Sequence, residues 1–481
     1  MNLDPHLLAY FSRREALQRA GGGLGWMACA SLLQQVAAGG TNVNPLAARK
    51  PPLPAKAKSV IWIFANGGPS QVDTWDYKPE LQKRDGQALE GFDPKTGFFP
   101  GSVGPLLKSP FEWAQHGKSG TWGSDLFPHL CKHVDKMAFI HSCWTGSNNH
   151  SPALFMMNTG ITRMGAPCVG SWVTYGLGSE ADNLPSFIVM SDPLNRGLPK
   201  GSASNWGSGF LPSVFQGTWL RPKGEPIENL RPPATVSEQA RRAQLDLLAE
   251  LNRSALSQSP IESELNARIE SFELAYRMQT AAPEAFDVMK EPEHIRRAYG
   301  LEEKHCSHFA GQCLTARRLV ERGVRFVQIY SGGMENQQSW DCHRDLIGNH
   351  RGFALEADQP VAALLSDLEA RGLLDQTLVV WAGEFGRTPT AQKGDKPGRD
   401  HNPHAFTVWF AGGGVKGGTH YGESDEVGYK AASNKVHVRD FHATLLALLG
   451  IDPEKLIFRF QGLDQRLIGV ESTRIIREIF S

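Results

Sequence analysis

The sequence predicts an α/β protein built on a mainly parallel central sheet, and two patterns predict it. The first is a recurring order in which a helix ends at glycine and feeds a short apolar strand. Cys313 to Arg322 stops at Gly323 ahead of Val324 to Tyr330, and Val361 to Arg371 stops at Gly372 ahead of Leu378 to Trp381. The second pattern is chemical. Acids and imidazoles collect where strands should end, in SWDCHRD (Ser339 to Asp345), VVWAGEFGRTP (Val379 to Pro389) and RDHNPHAFTVWF (Arg399 to Phe410). Ligands of open α/β sheets sit beyond the carboxyl ends of strands, so these segments nominate a site as well as a fold.

The remaining elements follow in order. Residues 39–57, rich in Pro, Ala and Lys, read as a linker. Ser59 to Ala65 is a buried strand running into the turn Asn66-Gly67-Gly68-Pro69. Residues 80–125 are Gly- and Pro-rich without a period and read as a long loop over the site. Met137 to His141 and Phe187 to Met190 are strands, Ser151 to Asn158 is a helix, and Phe406 to Phe410 is a late strand. Between 237 and 300, Leu245, Leu247, Leu248, Leu251, Leu265, Ile269, Phe272, Leu274 and Tyr276 recur at helical spacing among charges. That stretch reads as a helical insertion, an amphipathic hairpin covering the core rather than a partner-binding coil. Asp440 to Leu449 is a helix stopped by Gly450.

Composition bounds the function. A chain of 481 residues allows one large domain with insertions or two smaller ones. With 41% hydrophobic residues it can bury a sizeable core, which excludes a disordered chain. Lys+Arg and Asp+Glu both number 50, so no electrostatic footprint for nucleic acid or an anionic membrane is present. At the N-terminus, Ser12-Arg13-Arg14-Glu15-Ala16-Leu17 resembles a twin-arginine export signal, followed by a weakly apolar stretch to about Ala38. Of the seven cysteines, Cys29 lies in this leader; the other six suffice for disulfides in an oxidising compartment, with no pairing deducible. None forms a Cys-x-x-Cys pair, which argues against a structural zinc site.

The acid- and imidazole-bearing segments supply candidate ligands. Asp341 and His343 lie two apart in a loop beyond a strand and can reach one cation, one through oxygen and one through nitrogen. Glu384 follows an apolar strand between Gly383 and Gly386 and is a third candidate, while Arg387 can hold an anionic substrate oxygen. His401 and His404 flank Pro403, which keeps them off a single helix face, and Asp400 can orient an imidazole. At the front, Asp73 can join a metal cluster, and the N–H groups of the turn containing Gly68 and Ser70 can bind an anion. Asn149, His150 and Ser151 stand at a helix start, where a nucleophile and an anion would meet.

Together these segments resemble the alkaline phosphatase–sulfatase superfamily and, more closely, its twin-arginine-exported relatives, the domain-of-unknown-function 1501 family. The resemblance rests on the SRREAL leader, GGPSQVDTWD, CLTARRLVERGVRFVQIY, SWDCHRD, GEFGRTP, RDHNPHAFTVWFAGGGVKGG and DFHATLLALLGID. It implies a three-layer α/β/α domain over 58–481 with the helical insertion at 237–300. It also implies one or two divalent ions (Zn, Mn, Fe or Ca) and hydrolysis of sulfate or phosphate esters of small molecules or glycans. Export through the twin-arginine machinery to the periplasm follows, with no integral membrane segment once the leader is cleaved.

Carried over residue by residue, the resemblance puts Asn66 where the superfamily has a metal-binding Asp, the nearest acid being Asp73. It puts His150 at the nucleophile's place, where formylglycine cannot form; either Ser151 or Thr145 acts instead, or His150 ligates metal. Asp341 and His343 resemble the Asp-and-His metal pair, Glu384-Phe385 a strand-end pair with one ligand lost, and His401 or His404 the late ligand. These substitutions motivate two rivals to catalysis: a scaffold that binds sulfated or phosphorylated glycans without cleaving them, and a structural envelope protein.

Overall fold

The computed structural model describes residues 44–222, 225–227, 237–258 and 263–481. The expected export leader at 1–38, with Cys29, and the first residues of the expected linker lie outside the described residues.

Nine strands form one central sheet. They are β1 Ser59–Ala65, β2 Met137–Trp144, β3 Phe187–Met190, β4 Thr218–Leu220, β5 Phe326–Ser331, β6 Thr377–Ala382, β7 Phe406–Ala411, β8 Thr419–Tyr421 and β9 Val436–His437. The spatial order is β8-β2-β7-β6-β1-β5-β3-β4, with β9 also paired to β2. Every pairing in it is parallel except the two made by β7. No crossover helix separates β7 from β6, so the chain returns antiparallel beside it. The start of β7 therefore lies at the same sheet edge as the carboxyl ends of β1, β2, β5 and β6.

The sheet is buried on both faces, which is why its strands read as continuous apolar runs rather than alternating ones. In β1, Ile61, Ile63 and Ala65 enter one core while Val60, Trp62 and Phe64 enter the other. Helices α1 His150–Thr159 and α2 Val169–Leu177 pack on the second core together with the last helix, Val438–Leu448. The first core is covered by helices Ser307–Glu321 and Leu346–Ala370. Three layers result.

Helix Leu346–Ala370 begins far ahead of the expected Val361, because Gly348, Gly352 and Pro360 interrupt its apolar period. Asp345 caps it, accepting from the Gly348 N–H at 3.3 Å. The region expected to be an insertion holds helices Glu238–Gln258 and Ser263–Phe286. Met278, Ala282 and Ala285 of the second join the first core, whereas Leu247, Leu248 and Leu251 of the first stay exposed. The six described cysteines are all buried and unpaired, so the disulfides that their number would allow do not form among the described residues. Burial pushes the Cys131 and Cys342 thiols up to about 12, and the residues serve as small apolar core groups. No helix of the described residues is long and apolar enough to cross a membrane.

Candidate metal centre

Five strand ends deliver the site. β1 runs into Asn66-Gly67-Gly68, where Gly67 has φ +104° and a Cβ would stand 2.5 Å from the Asp341 backbone nitrogen. Only glycine fits that approach. The Trp340 N–H donates to the Asn66 carbonyl at 2.9 Å, tying the loop after β5 to the loop after β1. β2 leads to α1, whose first residue is His150 and whose cap is Asn149, accepting from the Ser151 N–H at 3.3 Å. A two-residue antiparallel pairing, Gly386 opposite Asn402 and Arg387 opposite His401, joins the loop after β6 to the loop before β7.

His150, Asp341, His343 and His401 converge, with one potential ligand atom from each lying within 4.8 Å of all the others. His343 Nε2 and His401 Nε2 are 3.0 Å apart, at 3.0 and 3.2 Å from Asp341 Oδ1. His150 Nε2 stands 3.1 Å from Asp341 Oδ2. The opposite ring nitrogens all meet oxygen. His150 Nδ1 faces Glu384 Oε1 at 2.7 Å, His343 Nδ1 faces Gln392 Oε1 at 2.8 Å, and His401 Nδ1 faces the Asn148 carbonyl at 2.6 Å. These oxygens only accept, so each Nδ1 carries a proton and each Nε2 is left facing Asp341. His150 Nε2 and Asp341 Oδ2 are buried and make no hydrogen bond. Three imidazole nitrogens and a carboxylate crowded together, each imidazole oriented from behind, are a donor set that can hold a metal ion.

The charges in the cluster follow from these contacts. Burial alone would raise the Asp341 carboxyl, but Arg387, His150 and His343 hold it well below the ordinary carboxylate range. Burial disfavours the charged form of His150, yet the Asp341 and Glu384 carboxylates outweigh it and raise the ring's pKa. His401 goes the other way: burial, then the neighbouring His150, hold it well below 6.5 and therefore neutral.

Several expected site residues serve other ends. Glu384 accepts from the Gly67 N–H at 3.0 and 3.1 Å and orients His150, so it stands behind the cluster rather than in it. The Gly67 N–H of the glycine turn is thus occupied by this carboxylate. Arg387 is fully buried, donating to the carbonyls of Gly67, Gly68 and Arg399 and standing 2.7 Å from Asp341 Oδ1. Its guanidinium is a buried positioning group, each of its nitrogens already donating to an oxygen of the protein. The Gly68 carbonyl is taken up by that guanidinium, and the Ser70 N–H donates to His350 Nε2 at 3.0 Å. Asp73 pairs with Arg399 at 2.6 Å and accepts from the Ser70 hydroxyl, outside the cluster. The His404 ring lies against Tyr429, also outside it. Asn66 donates to the Gly333 carbonyl. Thr145 is buried with a hydroxyl that makes no hydrogen bond, its N–H on the Pro403 carbonyl.

The sequence reading missed Gln392 and the Asn148 carbonyl, since neither residue type nor spacing marks an orienting oxygen. It missed Phe98 and Phe99 as well, although their loop falls in the stretch expected to cover the site. Phe99 meets His343 edge-on at 4.9 Å, and Phe98 lies 5.7 Å from the His401 ring.

No curated protein sequence matches the chain. Solved structures with distant similarity include the lipoteichoic acid synthase LtaP from Listeria monocytogenes, at 10% identity and TM-score 0.34 over 86% of this chain and 75% of that one. The PsFucS1 sulfatase from Pseudoalteromonas sp. is 12% identical, with TM-score 0.35 over 88% of this chain and 72% of the other. A protein in the alkaline phosphatase superfamily from Vibrio parahaemolyticus is 9% identical, with TM-score 0.35 over 91% and 76%. Residues 57–480 match the model of the family described as "Protein of unknown function (DUF1501)", and the chain belongs to that family.

Proposed function

We propose that this protein is a metal-dependent hydrolase of sulfate or phosphate esters. The observation that carries the proposal is the convergence of three oriented Nε2 atoms on Asp341 at a sheet edge. Three imidazoles argue against calcium, which takes oxygen ligands, and favour a single zinc, manganese or iron ion. A divalent ion held there supplies positive charge beside the oxygens of a sulfuryl or phosphoryl group. The protein's own groups hold that arrangement: Glu384, Gln392 and the Asn148 carbonyl keep the rings turned inward, and Arg387 keeps Asp341 ionised and fixed. His343, the ligand that is not fully buried, marks the side from which an ester enters.

The expected experiment outcome is direct. Purified protein should carry close to one transition-metal ion per chain by elemental analysis and hydrolyse an aryl sulfate or aryl phosphate; His343→Ala should lose both. Metal-free protein, inactive on both ester classes with each divalent ion added, would overturn the proposal. A binding scaffold without turnover is a second reading, favoured because His150, which stands where the resemblance puts the nucleophile, faces Asp341 and Glu384 instead. Metal-loaded protein that binds a phosphonate but cleaves no ester would select it. Twin-arginine export to the periplasm is part of the proposal through the leader motif, and Arg13→Lys combined with Arg14→Lys should retain the protein in the cytoplasm on fractionation.

A further inference from the structure

A recess that reaches the cluster at His343 is lined by Phe98, Phe99, Ser102, Asn336 and Gln392, and among the described residues no Asp, Glu, Lys or Arg lines it. Phe98 and Phe99 are 45% and 40% exposed, an unfavourable place for two adjacent phenyl rings unless something covers them. They stand at right angles, 5.0 Å apart and 84° between planes, so they present a corner with one face and one edge. Such a corner fits a rigid plate better than a flexible chain. In the same lining Asn336 is a neutral donor and acceptor, while the Gln392 amide is committed to His343 and to Ser102, whose hydroxyl donates to the Phe99 carbonyl.

The corner is also held still. Asp400 accepts from the Phe98 and Phe99 N–H groups at 3.0 and 2.7 Å. The Asn148 amide donates to the carbonyls of Lys95, Thr96 and Gly97 at 3.2, 3.1 and 2.9 Å. Both anchors adjoin the ligand segments: Asp400 precedes His401, and the Asn148 carbonyl orients it. A Cβ on Gly97 would stand 2.3 Å from Asp400 Oδ2, so the strap lies flat on its anchor. Burying these phenyl rings in a preset pose is the device of a small-molecule pocket, apolar walls with a few placed polar groups.

We infer that the ester hydrolysed here has an uncharged cyclic leaving group, an aromatic or saturated ring bearing the sulfuryl or phosphoryl oxygen, seated on Phe98 and Phe99. This rests on the proposed metal-dependent hydrolysis and specifies its substrate class. The test is calorimetric titration of metal-loaded protein with three non-hydrolysable probes: methylphosphonate, phenylphosphonate and cyclohexylphosphonate. One or both ring probes should bind about tenfold more tightly than methylphosphonate, and Phe98→Ala and Phe99→Ala should each erase most of that preference. Elemental analysis of both variants should show the ion retained, which separates loss of the ring seat from loss of His343 packing. Preference for phenyl alone assigns an aryl ring; preference shared by cyclohexyl assigns a saturated, sugar-like one. Equal affinity for all three probes, or a preference that survives in both variants, overturns the inference and leaves the metal-centre reading standing. Ion bound with no affinity for any phosphonate overturns both.

Discussion

At the scale of single residues, the site separates groups that would touch an ion from groups that aim them. Glu384 is of the second kind, so Glu384→Gln, which keeps the shape but removes the charge behind His150, is expected to weaken metal binding by about 10- to 100-fold. His404→Ala should leave metal affinity unchanged, because its ring lies against Tyr429. Competition titration with a chelating dye measures both, and equal effects of the two substitutions would refute the assignment. Asp73 has a different task. Burial raises its carboxyl, but Arg399 more than compensates and holds it below its ordinary value. Asp73→Asn leaves a buried guanidinium short of its partner and is expected to cost roughly 3–5 kcal/mol in urea unfolding. Its effect on metal affinity should be small.

At the scale of elements, the site depends on how strands end. Gly67 lets the loop after β1 press against Asp341, and its positive φ removes any easy replacement. Gly67→Ala is expected to destabilise the fold by at least 1–3 kcal/mol and to lower metal affinity together with stability, since the displaced atom is the Asp341 backbone. A thermally unaltered Gly67→Ala protein with full metal content would show the loop to be slack. Much at this scale was legible in the sequence. SVIWIFA, FIVM and TLVVWA are apolar on both faces, and that composition suits a strand covered on both sides. The start of helix Leu346–Ala370 was not legible, because two glycines and a proline hide its period while its packing on the sheet preserves it. The reversed direction of β7 was hidden too, since an apolar hexamer carries no sign of its direction.

For the whole molecule, buried neutral histidines make stability depend on pH. Burial holds His141 and His350 at about 3 and His442 at about 4, against an ordinary 6.5. The His350 geometry shows why: Nε2 accepts from the Ser70 N–H, and Nδ1 faces Asn349 Oδ1 at 3.1 Å, so no partner awaits a second proton. Below pH 6.5 the unfolded chain takes up protons that these folded rings refuse. Stability therefore falls as pH drops from 6.5 toward 3, by roughly 2 kcal/mol per ring at pH 5. His150 in the metal-free protein acts oppositely: its raised pKa contributes stability that is complete below 6.5 and lost as pH rises through the folded value. Three rings outnumber one, so urea unfolding of metal-free protein should show a net loss between pH 7 and 5. A flat or rising profile would contradict that sum.

What the sequence by itself determined is the α/β class, six of the nine strands described in the central sheet and the neighbourhood of the site. Two-sided burial and strand-end chemistry leave local marks in residue type. Only the tertiary structure decided which acids and imidazoles share one point. Asp73 and His404 belong to the same motifs as the ligands, but long-range partners, Arg399 and Tyr429, draw them elsewhere. Glu384 and Arg387 look like ligand and substrate clamp until the glycine turn of β1, more than 300 residues earlier in the chain, claims both. Ligation depends on where lone pairs point in space, and that direction is set by hydrogen bonds between residues distant in sequence.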